Sequence, residues 1–153
     1  MVKKTHYQKK SFESSGKTSD TSANIYESMV QSAAWMDISP LQRQLYVYCK
    51  MQYYGEKRKP NNDPLCFTMN QGKWSDKYGL YEKNNAKGFY RDMTALIDHG
   101  FIICAECGAA TRTKSIYRYS DMWQKYGTAE FVVLPAQRTS AMNRKSRAID
   151  KKQ

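Results

Sequence analysis

The stretch that most constrains this chain is residues 84–104, where an amphipathic helix runs almost directly into a strand. Phe89, Met93, Leu96 and Ile97 recur at the spacing that gathers side chains on one helical face, with Ala86 joining them one turn earlier. Asn84 or Asn85 supplies the N-cap, and the helix is expected to run to about His99, with Gly100 as its stop. Phe101–Cys104 (FIIC) then reads as a strand, Ala105–Thr111 as a turn around Gly108, and Ser115–Tyr119 (SIYRY) as the alternating return strand.

Upstream, residues 26–36 read as a short helix. Ser39 is a good N-cap with Pro40 at the first helical position, and Leu41, Leu45, Tyr48, Cys49 and Gln52 then recur at helical spacing, with Arg43 and Lys50 on the far side. Gly55 is the expected stop, followed by a charged, turn-rich loop over 55–64 and a short strand over Leu65–Met69. Asn70 can cap a short helix, Gln71–Tyr78, carrying Trp74 and Tyr78 on one face and ended by Gly79; Leu80–Asn84 makes a turn. A short helix near Asp121–Tyr126 and an apolar strand Phe131–Leu134 close the ordered region.

The expected fold class is α+β: mainly helical, with a small β-hairpin. Two helices joined by a tight turn and followed by a hairpin resemble a winged helix-turn-helix domain over roughly residues 35–119. The residues that carry the resemblance are Trp74-x3-Tyr78-Gly79-Leu80 and Phe89-x3-Met93-x2-Leu96-Ile97-x2-Gly100-Phe101-Ile102, with the Ser39-Pro40-Leu41 start behind them. The segment from Gly79 to Met93 is about one residue longer than the common pattern, and aromatic residues replace the usual small aliphatics of the second helix. More loosely, the chain is similar to small proteins of bacterial phages, plasmids and integrative elements. That resemblance implies a transcriptional regulator or a replication accessory of a mobile element.

With Phe89 at the centre of the buried face, Asn84, Lys87, Arg91, Thr94 and Asp98 fall opposite, so Asn, Lys and Arg occupy the end that would enter a major groove. Asn84 and Arg91 carry planar groups that can pair with adenine and guanine edges. Lys73, Lys77 and Lys83 surround the turn, and Arg112 and Lys114 flank the wing turn, all suited to phosphate contacts. Tyr81 and Tyr90 suit either stacking, phosphate contact or a core role. Gly88 invites a close backbone approach, to a partner or to a neighbouring helix. The same pattern is also what an ordinary solvated helix face displays.

Charge favours an anionic partner, double-stranded DNA first. The 153-residue chain carries a net +11, divided as +3 over residues 1–23, +3 over 24–134 and +5 over 135–153. Three regions follow: a disordered basic arm over 1–23, a winged-helix domain over 24–135 and a disordered basic tail over 136–153, because the two ends hold few aliphatic side chains. The expected location is cytoplasmic, with no membrane span, since the chain has no long apolar run and its first residues are charged and hydroxyl-rich. The aromatic load, 12 Tyr and 3 Trp, also suits a homodimer or a protein-protein interaction module that does not bind DNA.

Cys104-x2-Cys107-Gly108 has the form of half a zinc site, but no second CxxC or His pair completes it, and Cys66 and His99 could join only if the fold brought them there. Plain thiols and no metal are expected. No P-loop or GxSxG motif is present, and the histidines are only His6 and His99, the latter placed to cap a helix C-terminus. The chain is therefore expected not to be an enzyme, with no cofactor and no small-molecule substrate. If the basic ends are dispensable for folding, a chain cut to residues 24–135 should melt cooperatively near the full-length Tm and bind DNA less tightly, as measured by calorimetry and anisotropy.

Overall fold

The computed structural model describes residues 15, 17, 20–54, 59–108 and 112–135. Most of the expected arm and tail, the expected stop at Gly55, and residues 109–111 of the expected turn lie outside these residues. The described chain is a mixed α+β unit. In order it contains α1 (Glu27–Val30), α2 (Ala33–Asp37), α3 (Pro40–Lys50), β1 (Cys66–Thr68), a π-helical segment (Gly72–Lys77), α4 (Ala86–Asp98), β2 (Ile102–Glu106), β3 (Ile116–Tyr119) and a 3-10 turn (Met122–Lys125).

Local chemistry explains most of these bounds. The expected first helix is two helices, because Ser32 interrupts it: its Oγ donates to Met29 O (2.6 Å) and accepts from Trp35 N (3.2 Å), capping α2. Ser39 and Gln42 form a reciprocal capping box at the start of α3, with Pro40 at its first position. Arg43 and Lys50 do not lie on a far, solvated side. Arg43 rests on the Trp35 ring and donates to the α2 carbonyls of Trp35 and Met36, while Lys50 is half-buried over Tyr119. Their aliphatic stems cover aromatic surface, which helical phase alone does not reveal.

The expected α-helix over Gln71–Tyr78 is instead wound as a π-helix, with Tyr78 N–H donating to Lys73 O (3.0 Å). The segment carries two large rings that meet different partners. Trp74 stacks on Phe89 of α4 (4.9 Å), and Tyr78 stacks on Tyr48 of α3 (4.5 Å). At the end of α4, Gly100 has φ +79°; its N–H donates to Ile97 O (3.0 Å) and the N–H of Phe101 to Leu96 O (3.0 Å), a Schellman stop. A Cβ there would also meet Trp123 N at 2.6 Å, so glycine is required on two counts.

The three strands form one antiparallel sheet in the order β1-β3-β2, with Phe67 opposite Tyr117, Ile102 opposite Tyr119, and a bulge between Cys104 and Glu106. The core lies between this sheet and α3 and α4, and contains Leu45, Tyr46, Cys49, Phe67, Phe89, Met93, Leu96, Phe101 and Ile102. Tyr46, outside the expected face of α3, is 2% exposed and packs on Phe101 (4.8 Å), whereas Leu41, expected inside, is 38% exposed. Phe131–Leu134 is not a strand. Phe131 turns onto Tyr126 (5.2 Å), and Val132, Val133 and Leu134 are exposed without a strand to pair with among the described residues.

Phe89 is fully buried against Trp74 and Tyr81. Phe89→Ala should cost about 3–5 kcal/mol in urea denaturation, by lost burial and the cavity left behind.

Candidate nucleic-acid interface

The outward face of α4 is set by its cap and by its core stripe. Asn85, not Asn84, is the N-cap, its Oδ1 accepting from Gly88 N (3.1 Å). Asn84 therefore precedes the helix and is presented by the turn. The cap also explains Gly88, since a Cβ at this position would sit 2.7 Å from the Asn85 amide. The glycine thus makes room within the helix's own first turn, and neither a partner nor a neighbouring helix is needed to account for it. Beyond the cap, Lys87, Tyr90, Arg91, Thr94 and Asp98 are exposed, while Phe89, Asp92, Met93 and Leu96 are buried.

Asp92 is the residue that sequence reasoning misses, and it organises this face. It is 1% exposed. Its Oδ1 accepts from Gln42 Nε2 (3.1 Å) and Arg91 Nε (3.2 Å), and its Oδ2 from the Tyr81 hydroxyl (2.7 Å) and Arg91 Nη2 (3.4 Å). Burial opposes its charged form, but the bonds from Arg91, Gln42 and Tyr81 outweigh this and hold the carboxyl below the usual carboxylate range. Tyr81 is consequently a core residue, and burial followed by its bond to Asp92 pushes its phenol far up. The signal was available: three residues after Phe89, position 92 falls on the apolar stripe, where a lone acid calls for donors.

Arg91 is gripped on one edge by Asp92, while 72% of its side chain remains exposed. Lys83 pairs with Asp76 (3.0 Å) at the surface, and Lys77 lies over the Tyr78 ring (5.2 Å). Lys73 is half-buried and donates to Thr68 O (2.7 Å) and Oγ1 (2.9 Å), so it ties the π-helical segment to β1. Arg112 and Lys114 are exposed in the loop between β2 and β3, Arg112 with φ +54°.

Two concave surfaces gather most of the expected site residues. Lys83, Asn84 and Arg91 line an open groove with Leu41 and Tyr81, but Asp76 and Glu82 share it. Tyr90, Arg112 and Lys114 line a smaller cleft with Asn70, Gln71, Ser115 and Tyr117, and no carboxylate lines that cleft. Lys87 and Lys77 line neither of these two.

The cysteines are arranged for packing. Cys66 and Cys104 lie on the two outer strands with β3 between them. Burial and the nearby Cys107 push the Cys104 thiol up to about 11. His99 caps α4, its Nδ1 facing Ala95 O (2.6 Å) and its Nε2 facing Asp37 Oδ2 (2.7 Å), where the Tyr126 hydroxyl also donates (2.7 Å). Among the described residues no group of three or more His, Cys, Asp or Glu is arranged to hold a metal ion, and no helix is long and apolar enough to cross a membrane.

Set against family models, curated proteins and solved structures, the chain matches none of them.

A carboxyl held below its normal range stabilises the fold at pH values above that range, and the stabilisation is lost as pH falls through the lowered value. Asp92→Asn should therefore cost about 2–3 kcal/mol at pH 7, where three donors lose a charged acceptor. The difference from the unsubstituted chain should shrink below about pH 4. Urea titrations of both chains across pH 3–7 measure it, and pairing them cancels the titration of the other acids.

Proposed function

We propose that the chain binds double-stranded DNA through a winged-helix unit over roughly residues 35–119, with α4 in the major groove and the β2–β3 hairpin as the wing. The mixed α+β architecture and the element order support this reading. The observation that carries it is the solvent face of α4. From Lys87 to Arg91 this face is exposed, and residues of the same helix line the two concave surfaces: Arg91 the groove with Lys83 and Asn84, and Tyr90 the cleft with Arg112 and Lys114. Basic side chains stand on both flanks, with Asp76 and Glu82 among them on the Arg91 side, where they can reach the two phosphate ridges beside a groove, and a guanidinium already gripped on one edge loses less freedom when it meets a base. The net +11 supplies further, sequence-independent attraction. In a cell this would serve a regulator or a replication accessory of a mobile element.

A second reading, a protein-docking module, is favoured by the exposed run Val132, Val133 and Leu134. Salt separates the two readings, since only the DNA complex should weaken steeply as ionic strength rises.

The test is a titration of a selected duplex and a scrambled one at two salt concentrations. Arg91→Gln should cost about 1–3 kcal/mol on the selected duplex and flatten preference at one base pair. Lys77→Ala should weaken both duplexes alike and lower the salt slope by about one contact. Because Arg91 also serves Asp92, melting curves accompany the binding data. A folded Arg91→Gln chain with both affinities unchanged would remove α4 from the interface.

A further inference from the structure

Of the two concavities beside α4, one mixes cations with Asp76 and Glu82, whereas the cleft between Tyr90 and the hairpin is free of carboxylates. Tyr90 presents an exposed ring to that cleft, 55% accessible, and its own contact with Phe89 (5.1 Å, interplanar 64°) supports it from the core side. Tyr117 is buried behind the opening, Arg112 and Lys114 line the hairpin side, and Asn70 and Ser115 contribute uncharged hydrogen-bonding groups. Gln71 is braced by donating from Nε2 to Lys83 O (3.0 Å). An aromatic plane, amide edges and two cations in one concavity form a donor set that suits an unstacked nucleotide better than a continuous duplex. The ring offers a stacking surface to any base, the amides can bond a base edge, and the cations suit a phosphate.

We infer that the cleft lined by Tyr90, Asn70, Arg112 and Lys114 holds a single unpaired nucleotide, its base stacked on Tyr90 and its phosphate between Arg112 and Lys114. The inference rests on the DNA-binding reading for how the nucleotide arrives, as a single-stranded end or bulge beside the bound duplex. A free mononucleotide has the same chemistry and is the other source. The occupied cleft would direct the protein to junctions between paired and unpaired strands.

The experiment compares a blunt duplex, the same duplex with a three-nucleotide single-stranded tail, and AMP alone, by fluorescence anisotropy and, for AMP, by chemical-shift titration. The unsubstituted chain should bind the tailed duplex about tenfold more tightly than the blunt one. Because Tyr90 also lies on the α4 face assigned to the duplex, the readout is the ratio of tailed to blunt affinity: Tyr90→Leu should bring it to about one, and Tyr90→Phe, which keeps the ring, should leave it at about ten. Equal affinity for the two duplexes, or a preference that survives Tyr90→Leu, overturns the cleft assignment and leaves the duplex reading standing. If neither duplex binds, the duplex reading fails, and AMP decides the cleft alone: shifts at the cleft that vanish in Tyr90→Leu support it, and their absence in the unsubstituted chain overturns it.

Discussion

The buried carboxylate of Asp92 is the constraint on which the arrangement around α4 depends. A charge placed inside a core is tolerated only when donors converge on it, and they come from a distant helix, from a preceding turn and from the neighbouring residue. Gln42 comes from the first turn of α3, Tyr81 from the turn before α4, and Arg91 from α4 itself. Gln42 serves twice, closing the capping box with Ser39 and donating to Asp92. The start of one helix is thereby tied to the middle of another, and the turn between them is pinned by a phenol. Arg91, the most exposed member, is aimed outward by the same bonds that neutralise the core charge.

Aromatic stacking performs the complementary task. Trp74 and Tyr78, on one short π-helical segment, stack on rings from α4 and α3 respectively. Phe67 stacks on Tyr119 across the sheet, and the Tyr119 hydroxyl donates to Cys49 O (2.7 Å) at the end of α3. Large flat side chains cover much apolar area with few rotamers, so a small unit can hold its helices without a deep aliphatic core. The same economy leaves room on the surface for Tyr90, whose ring is braced by Phe89 yet open to solvent.

Electrostatics divides the exposed face of α4. On one flank, acids accompany the basic groups, and Lys83 is paired with Asp76. On the other, Arg112 and Lys114 stand without an acid in the cleft they line. Counting lysines around a helix treats both flanks alike; their difference arises from which loops the fold brings beside them.

Much of the framework was legible in the chain itself, because it is written in local terms. The core stripe of Phe89, Met93 and Leu96, the Ser39–Pro40 start, the Gly100 stop and the pairing of the strands after it depend on periodicity, capping and turn chemistry, all of which act within a few residues. The exposure of Lys87, Tyr90 and Arg91 follows from the same helical phase. Tertiary structure decided what depends on distant partners. It wound Gly72–Lys77 as a π-helix, set Trp74 and Tyr78 against rings of two different helices, laid Arg43 and Lys50 over aromatic rings, turned Lys73 inward onto Thr68, and left Phe131–Leu134 without a partner strand among the described residues. It also placed Asp92 among its three donors and set Tyr90 beside Arg112 and Lys114, because a buried charge and a cleft are both made by groups that only the folded chain brings together.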